Sequence, residues 1–239
     1  MSEKAHIVSS YDRDLESIQA LIMKMGGLVE AAILDAATSL ELRDEEMAEK
    51  VRARDAAIDA LEEQVNEQCA LLLATRQPIA GDLRTVLTVM KISGNLERVG
   101  DYAKNLAKRT GVLVHMSPIE GAAGAIRRMS VTVEGMLKDA LDAYIQRDAE
   151  LAEDVRQRDL EVDQMYNALF REFLTFMMED PRNITACMHL HFISKNIERM
   201  GDHVTSIAEQ VIYLSTGELP EESRPKGDQT SVENLEIEG

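Results

Sequence analysis

From Val51 onward, apolar residues return every seven positions: Val51, Ile58, Val65 and Leu72, with Leu61 between them. A second row does the same at Val86, Ser93, Gly100 and Ala107, accompanied by Val89, Leu96 and Ala103. A seven-residue return is the seam of α-helices packed nearly antiparallel. No segment sustains the period-two alternation of a strand. The pattern breaks at Arg43-Asp44, Gln77-Pro78, Ser117-Pro118, Arg147-Asp148 and Asp180-Pro181. Proline lacks an N–H and disfavours helix in the residue before it, so it marks boundaries well. The pattern predicts helices over 12–42, 44–74, 79–115, 120–146, 148–179 and 183–215. Asp44 and Asp148 are placed to cap the second and fifth of these.

The chain also repeats itself. The run from Arg43 to Asp59, RDEEMAEKVRARDAAID, lies over the run from Arg147 to Asp163, RDAELAEDVRQRDLEVD. Further on, Asn95-Leu96-Glu97-Arg98-Val99-Gly100-Asp101 lies over Asn196-Ile197-Glu198-Arg199-Met200-Gly201-Asp202. Upstream, Glu30, Asp35 and Ala36 align with Glu134, Asp139 and Ala140. The small change of offset between the blocks falls at the Pro78 and Pro181 loops, where insertions are tolerated. The expected fold is all-α, a tandem pair of three-helix bundles related by an internal pseudo-two-fold repeat. Its divisions are an N-terminal tail over 1–9, a first bundle over 10–116 and a second over 117–216. The segment 217–239 is rich in Pro, Glu, Ser and Asp without periodicity and reads as a disordered acidic tail.

Composition narrows the chemistry. Aromatics are 4% with no Trp, so the core must rest on Leu, Ile, Val, Met and Ala. The net charge of −17 repels phosphate backbones and argues against a nucleic-acid partner. The start of the chain has no apolar stretch like that of a secretory signal. No apolar run reaches the roughly 20 residues needed to span a bilayer. A cytoplasmic location without direct membrane insertion is expected. Cys69 and Cys187 show no metal-binding spacing and sit in apolar stretches, as reduced core thiols do.

The repeated motif carries the candidate chemistry. Glu97 and Asp101 are four residues apart, about one helical turn, so both carboxylates share a face. Glu198 and Asp202 repeat this, and Asp55 with Asp59 and Asp159 with Asp163 make matching pairs on the preceding helices. Like charges at this spacing destabilise a helix by a few tenths of a kcal/mol unless neutralised. In heptad register all four pairs flank the seam. Two neighbouring helices of each half are therefore expected to present four carboxylates to one shallow, solvent-reachable groove. Such oxygen-rich sets suit hard cations such as Mg²⁺, Ca²⁺, Mn²⁺ or oxidised iron. Gly100 and Gly201 sit beside the pairs, and a mid-helix glycine costs about 1 kcal/mol relative to Ala, so both mark close approach of a facing helix.

A plainer alternative is a charged helix edge, since Arg54, Arg98, Arg158 and Arg199 stand next to the acids. His189, His191 and His203 have no counterparts in the first half and fit structural or surface roles. A carboxylate-bridged di-metal enzyme would need Glu-x-x-His on bundle helices, and the one match is Glu3-Lys4-Ala5-His6 near the start. There is no Gly-rich phosphate loop and no nucleophile–base pair at helical spacing, which favours a non-enzymatic protein. A metal-free adaptor with acidic grooves for basic partner helices is the third reading.

Two tandem units, each with R-D-x-x-[IV]-D on the second helix and N-[LI]-E-R-[VM]-G-D on the third, resemble the PhoU family over about residues 10–215. The resemblance implies two three-helix bundles, often as a homodimer. It implies multinuclear iron or zinc at Asp55, Asp59, Glu97 and Asp101, and again at Asp159, Asp163, Glu198 and Asp202. It further implies negative regulation of phosphate uptake and of phosphate-starvation signalling. The implied partners are the ATPase subunit of the phosphate transporter and a sensor histidine kinase. Where the family often has Lys after the first acid, this chain has Ala56, Leu160, Arg98 and Arg199.

Overall fold

The computed structural model describes the backbone of residues 2–220 and the side chains of Tyr11 and of 13–220. Six α-helices follow one another: α1 (Ser2–Leu42), α2 (Glu45–Arg76), α3 (Gly81–Leu113), α4 (Ala122–Gln146), α5 (Ala149–Glu179) and α6 (Ile184–Thr216). One 3₁₀ turn, Pro181–Asn183, leads into α6. No strand occurs among the described residues. The helix boundaries agree with the periodic pattern to within a few residues, except that α1 starts at Ser2, ahead of 12. The tail expected after Gly217 lies, from 221 on, outside the described residues, as do the side chains of Glu3 and His6.

The repeated Arg-Asp junctions explain how each unit turns its first corner. Arg43 and Arg147 both adopt left-handed backbone conformations, with φ of 56° and 53°. Asp44 Oδ1 then accepts from the Met47 amide at 2.9 Å, and Asp148 Oδ1 accepts from Glu150 at 2.9 Å and Leu151 at 3.0 Å. Both aspartates are the N-caps that the sequence predicts, each worth about 1 kcal/mol. The Arg43 guanidinium closes another helix end: it donates to the carbonyls of Leu113 (3.1 Å), Val114 (2.8 Å) and Met116 (2.6 Å), where α3 runs out and Leu113 also accepts the Met116 amide.

Packing follows the heptad rows. Val51, Ile58, Val65 and Leu72 are buried on α2, and Val86, Ser93, Gly100 and Ala107 on α3. Helices α1, α2 and α3 pack against one another, as do α4, α5 and α6. The two units also meet directly, α1 against α4 and α3 against α6, so that one continuous apolar core runs through both. Gly26 of α1 permits the first of these contacts, because a Cβ there would strike Leu141 of α4. Over Arg13–Leu42, α1 meets the length and composition of a membrane-crossing helix, contrary to the absence of such a stretch expected from the sequence. Ile18, Ile22, Met25, Val29 and Ile33 spend that apolarity inside the core, where burying each side chain stabilises the fold by about 1.5–3 kcal/mol.

Candidate functional site

Helices α2 and α3 carry the first acidic groove, α5 and α6 the second. Close helix contact is the feature that shapes both. A Cβ on Gly100 would lie 3.0 Å from Ile58 Cδ1 and 3.8 Å from Asp55 Oδ1. A Cβ on Gly201 would lie 2.9 Å from Asp159 Oδ1 and 3.4 Å from Val162 Cγ1. Both glycines therefore bring α3 and α6 onto the first aspartate of the neighbouring helix, which is the close approach their position predicts.

This approach corrects the expected depth of the grooves. Asp55 is only 4% exposed, and Asp159, Asp163 and Glu198 are 2%, 3% and 6% exposed. The shallow, solvent-reachable picture holds for Asp59 at the rim and for the half-buried Glu97, Asp101 and Asp202. Heptad register put the acids on the flank of the seam. The missing Cβ atoms then let the flank close over Asp55 and Asp159.

In the first groove the four carboxylates act on one another. Burial raises the Glu97 carboxyl above its ordinary value, and the charge and hydrogen bond of Asp101 raise it further. Asp59 is raised by desolvation and then by the charge of Asp55. Lys104, three residues past Asp101, donates a hydrogen bond from Nζ to Asp55 Oδ2 and stands 3.6 Å from Asp101 Oδ1. Arg98 adds weaker pairing, with Nε 3.5 Å from Glu97 Oε2 and Nη1 3.9 Å from Asp101 Oδ2.

In the second groove Lys195 Nζ pairs with Glu198 Oε2 at 3.0 Å and lies 4.9 Å from the centre of the Tyr166 ring. Two of the arginines beside the motifs turn away from the acid pairs. Arg54 pairs with Asp35 at 2.7 Å, and Arg158 pairs with Asp139 in the equivalent place. Sequence reasoning missed Lys104 and Lys195, although each stands three residues from a motif acid, a spacing that brings two side chains together on a helix.

The histidines take structural places. His203 Nδ1 lies 2.8 Å from Asn95 Oδ1 across the α3–α6 contact. His189 Nδ1 lies 3.3 Å from Arg109, and His191 packs among Phe170, Tyr166 and Phe192. Burial lowers the affinity of all three for protons, helped by Arg98 and Arg199 at His203, Arg109 at His189 and Lys195 at His191. Cys69 and Cys187 are buried free thiols, and burial pushes Cys69 up to about 11.

The metal implied by the family resemblance meets different conditions in the two halves. Among the described residues, no three His, Cys, Asp or Glu side chains gather closely enough to hold an ion as they stand. In the first groove the lysine ammonium takes the place between Asp55 and Asp101, which does not fit a metal. In the second, Asp159, Asp163 and Glu198 lie nine-tenths buried with Lys195 paired to Glu198; carboxylate oxygens of this kind suit a hard cation better than zinc, which favours Cys and His.

An all-helical tandem repeat of two three-helix units, each presenting an acidic groove between its last two helices, is the class of protein that fold and site define. The PhoU domain family model matches residues 22–110 and again residues 126–211. A phosphate-specific transport system accessory protein PhoU homolog of Rhizobium meliloti (strain 1021) is 44% identical over 228 residues, covering 95% of this chain and 96% of its own length. One from Caulobacter vibrioides (strain NA1000 / CB15N) is 45% identical over 223 residues, covering 93% and 97%. The crystal structure of PhoU from Pseudomonas aeruginosa superposes with a TM-score of 0.83 at 38% identity, covering 87% of this chain and 100% of that one. The phosphate transport system regulatory protein PhoU from Streptococcus pneumoniae gives 0.80 at 30% identity, covering 89% and 100%. The chain belongs to the PhoU family.

Proposed function

We propose that this chain is a non-catalytic regulator of phosphate transport that restrains phosphate uptake and phosphate-starvation signalling. It acts from the cytoplasm, as a homodimer, by docking on the ATPase subunit of the phosphate transporter and on a sensor histidine kinase. The observation that carries the reading is the pair of PhoU matches, one on each repeat, with relatives named as accessory proteins of the phosphate-specific transport system over nearly the whole chain. An acidic surface suits docking to basic partner faces, since complementary potentials speed encounter and reject wrong partners.

Deleting the gene in its native cell should raise phosphate uptake and switch on starvation reporters in phosphate-rich medium. Cross-linked pull-down in the same medium should recover the transporter ATPase or the sensor kinase. Unchanged uptake together with recovery of neither partner would overturn the reading. The second acidic groove, built from Asp159, Asp163, Glu198 and Asp202, is proposed to hold a hard cation. That ion would join carboxylate oxygens of α5 to those of α6.

A further inference from the structure

The two grooves descend from one motif, yet the same position carries different chemistry in each. The stretch from Asn95 to Lys104 lies over the stretch from Asn196 to Thr205. Lys104 starts on α3 and ends on α2: its ammonium hydrogen-bonds Asp55 while remaining 3.6 Å from Asp101. Asp55 is 4% exposed, and a carboxylate that deep must be neutralised nearby or lose its charge. The Lys104 ammonium supplies that neutralising charge through its hydrogen bond to Asp55. Thr205, in the equivalent place, is 1% exposed, and its Oγ1 has no hydrogen-bond partner among the described residues. The same repeat position thus carries a positive charge in the first half and a neutral hydroxyl in the second, where Lys195 reaches Glu198 from the other side of the motif.

An ammonium and a divalent cation compete for the same carboxylate oxygens. A metal entering the first groove would have to expel the lysine from Asp55 and leave a buried hydrogen bond broken. We propose that Lys104 is the resident cation of the first groove, that this groove is complete without metal, and that removing the lysine converts it into a site for a hard divalent cation. The inference rests on the cation-binding reading of the acidic pairs only for what the vacated groove takes up.

The test is Mn²⁺ uptake by metal-stripped full-length protein, followed by spin-resonance titration and by thermal melting with and without Mn²⁺. Lys104→Thr, which installs the residue of the second half, should take up about one further Mn²⁺ per chain than wild type and melt higher when loaded. Lys104→Thr/Asp55→Asn should lose that gain, and Asp55→Asn alone should leave wild-type uptake unchanged. Lys104→Gln, which keeps a hydrogen-bond donor toward Asp55, serves if Lys104→Thr does not fold. Uptake by the lysine variants no greater than wild type would overturn the proposal, as would loss of wild-type uptake in Asp55→Asn. Asp163→Asn probes the second groove separately. A wild type that binds no Mn²⁺ sinks the proposal for that groove and leaves the lysine variants to decide this one.

Discussion

The α2–α3 groove and the α5–α6 groove share backbone register, glycine placement and acid spacing, but they differ in depth and in the origin of their positive charge. The first buries one of its four acids, Asp55, and the second buries three, Asp159, Asp163 and Glu198. The first is bridged by Lys104 from the C-terminal side of its motif. The second is paired by Lys195 from the N-terminal side, where the first half has Gly94. Duplication therefore preserved the helix geometry that places carboxylates while the means of neutralising them diverged. A symmetric sequence motif is no guarantee of two equivalent sites.

The largest test of this contrast removes the lysine of the first groove. Lys104→Met leaves Asp55 buried without its cation. Breaking a buried pair costs about 3–5 kcal/mol, and the 41% exposure of Lys104 reduces the expected loss to roughly 2 kcal/mol. Melting should fall by about 4–8 °C for a chain of this size. Adding Asp55→Asn should restore most of it, because the residual charge is then gone. A loss that persists undiminished in the double variant would show that Lys104 acts through packing, and the charge contrast would fail.

A smaller effect separates the two glycines. Replacing either by Ala brings a helix-propensity gain of up to about 1 kcal/mol. At Gly100 the new Cβ meets the end of the Ile58 side chain at 3.0 Å, and Ile58 can yield. At Gly201 it meets Asp159 Oδ1 at 2.9 Å, where a 2%-exposed carboxylate must shift. Gly100→Ala should be near neutral, and Gly201→Ala should destabilise by about 1–2 kcal/mol in urea unfolding. Equal losses would mean that both contacts are equally rigid and that depth does not distinguish the grooves.

Much of this architecture was legible in the chain. Val51, Ile58, Val65 and Leu72 announced their seam because a buried helix stripe must return each seven residues, and Asp44 and Asp148 announced their caps because an unpaired helix start needs an acceptor. The depth of Asp159 and Asp163 was not legible. Register fixes the direction of a side chain, whereas burial depends on how near the next helix comes, and that distance is set by Gly201 together with its neighbours. The joining of α1 to α4 and of α3 to α6 was hidden for a related reason: periodicity says which face is apolar and not which helix covers it. Lys104 was visible at three residues from Asp101, but its reach to Asp55 depends on the tertiary contact.

The subtlest test uses pH. Glu97 in the folded chain titrates above 4.5, raised first by burial and then by Asp101, and Asp59 titrates above 3.8. A carboxylate raised on folding binds protons more tightly in the native state, so stability falls as pH rises through the interval between the unfolded and folded values. Above that interval the penalty is constant. The histidines of the second half, lowered below 6.5, act with the opposite sign: their contribution is present above 6.5 and is lost as pH falls from there through the lower folded values. A wild-type profile therefore mixes the halves, and only the difference between wild type and Glu97→Gln isolates the first groove. With chelator present, Glu97→Gln should be more stable than wild type at pH 7, and the gain should vanish below 4.5, where Glu97 is protonated whether folded or not. If the first groove held a metal through Glu97, the variant would instead lose stability at pH 7 once chelator is replaced by Mn²⁺. A lysine-bridged groove gives the same sign in both media, so this reversal would remove the distinction between the two halves.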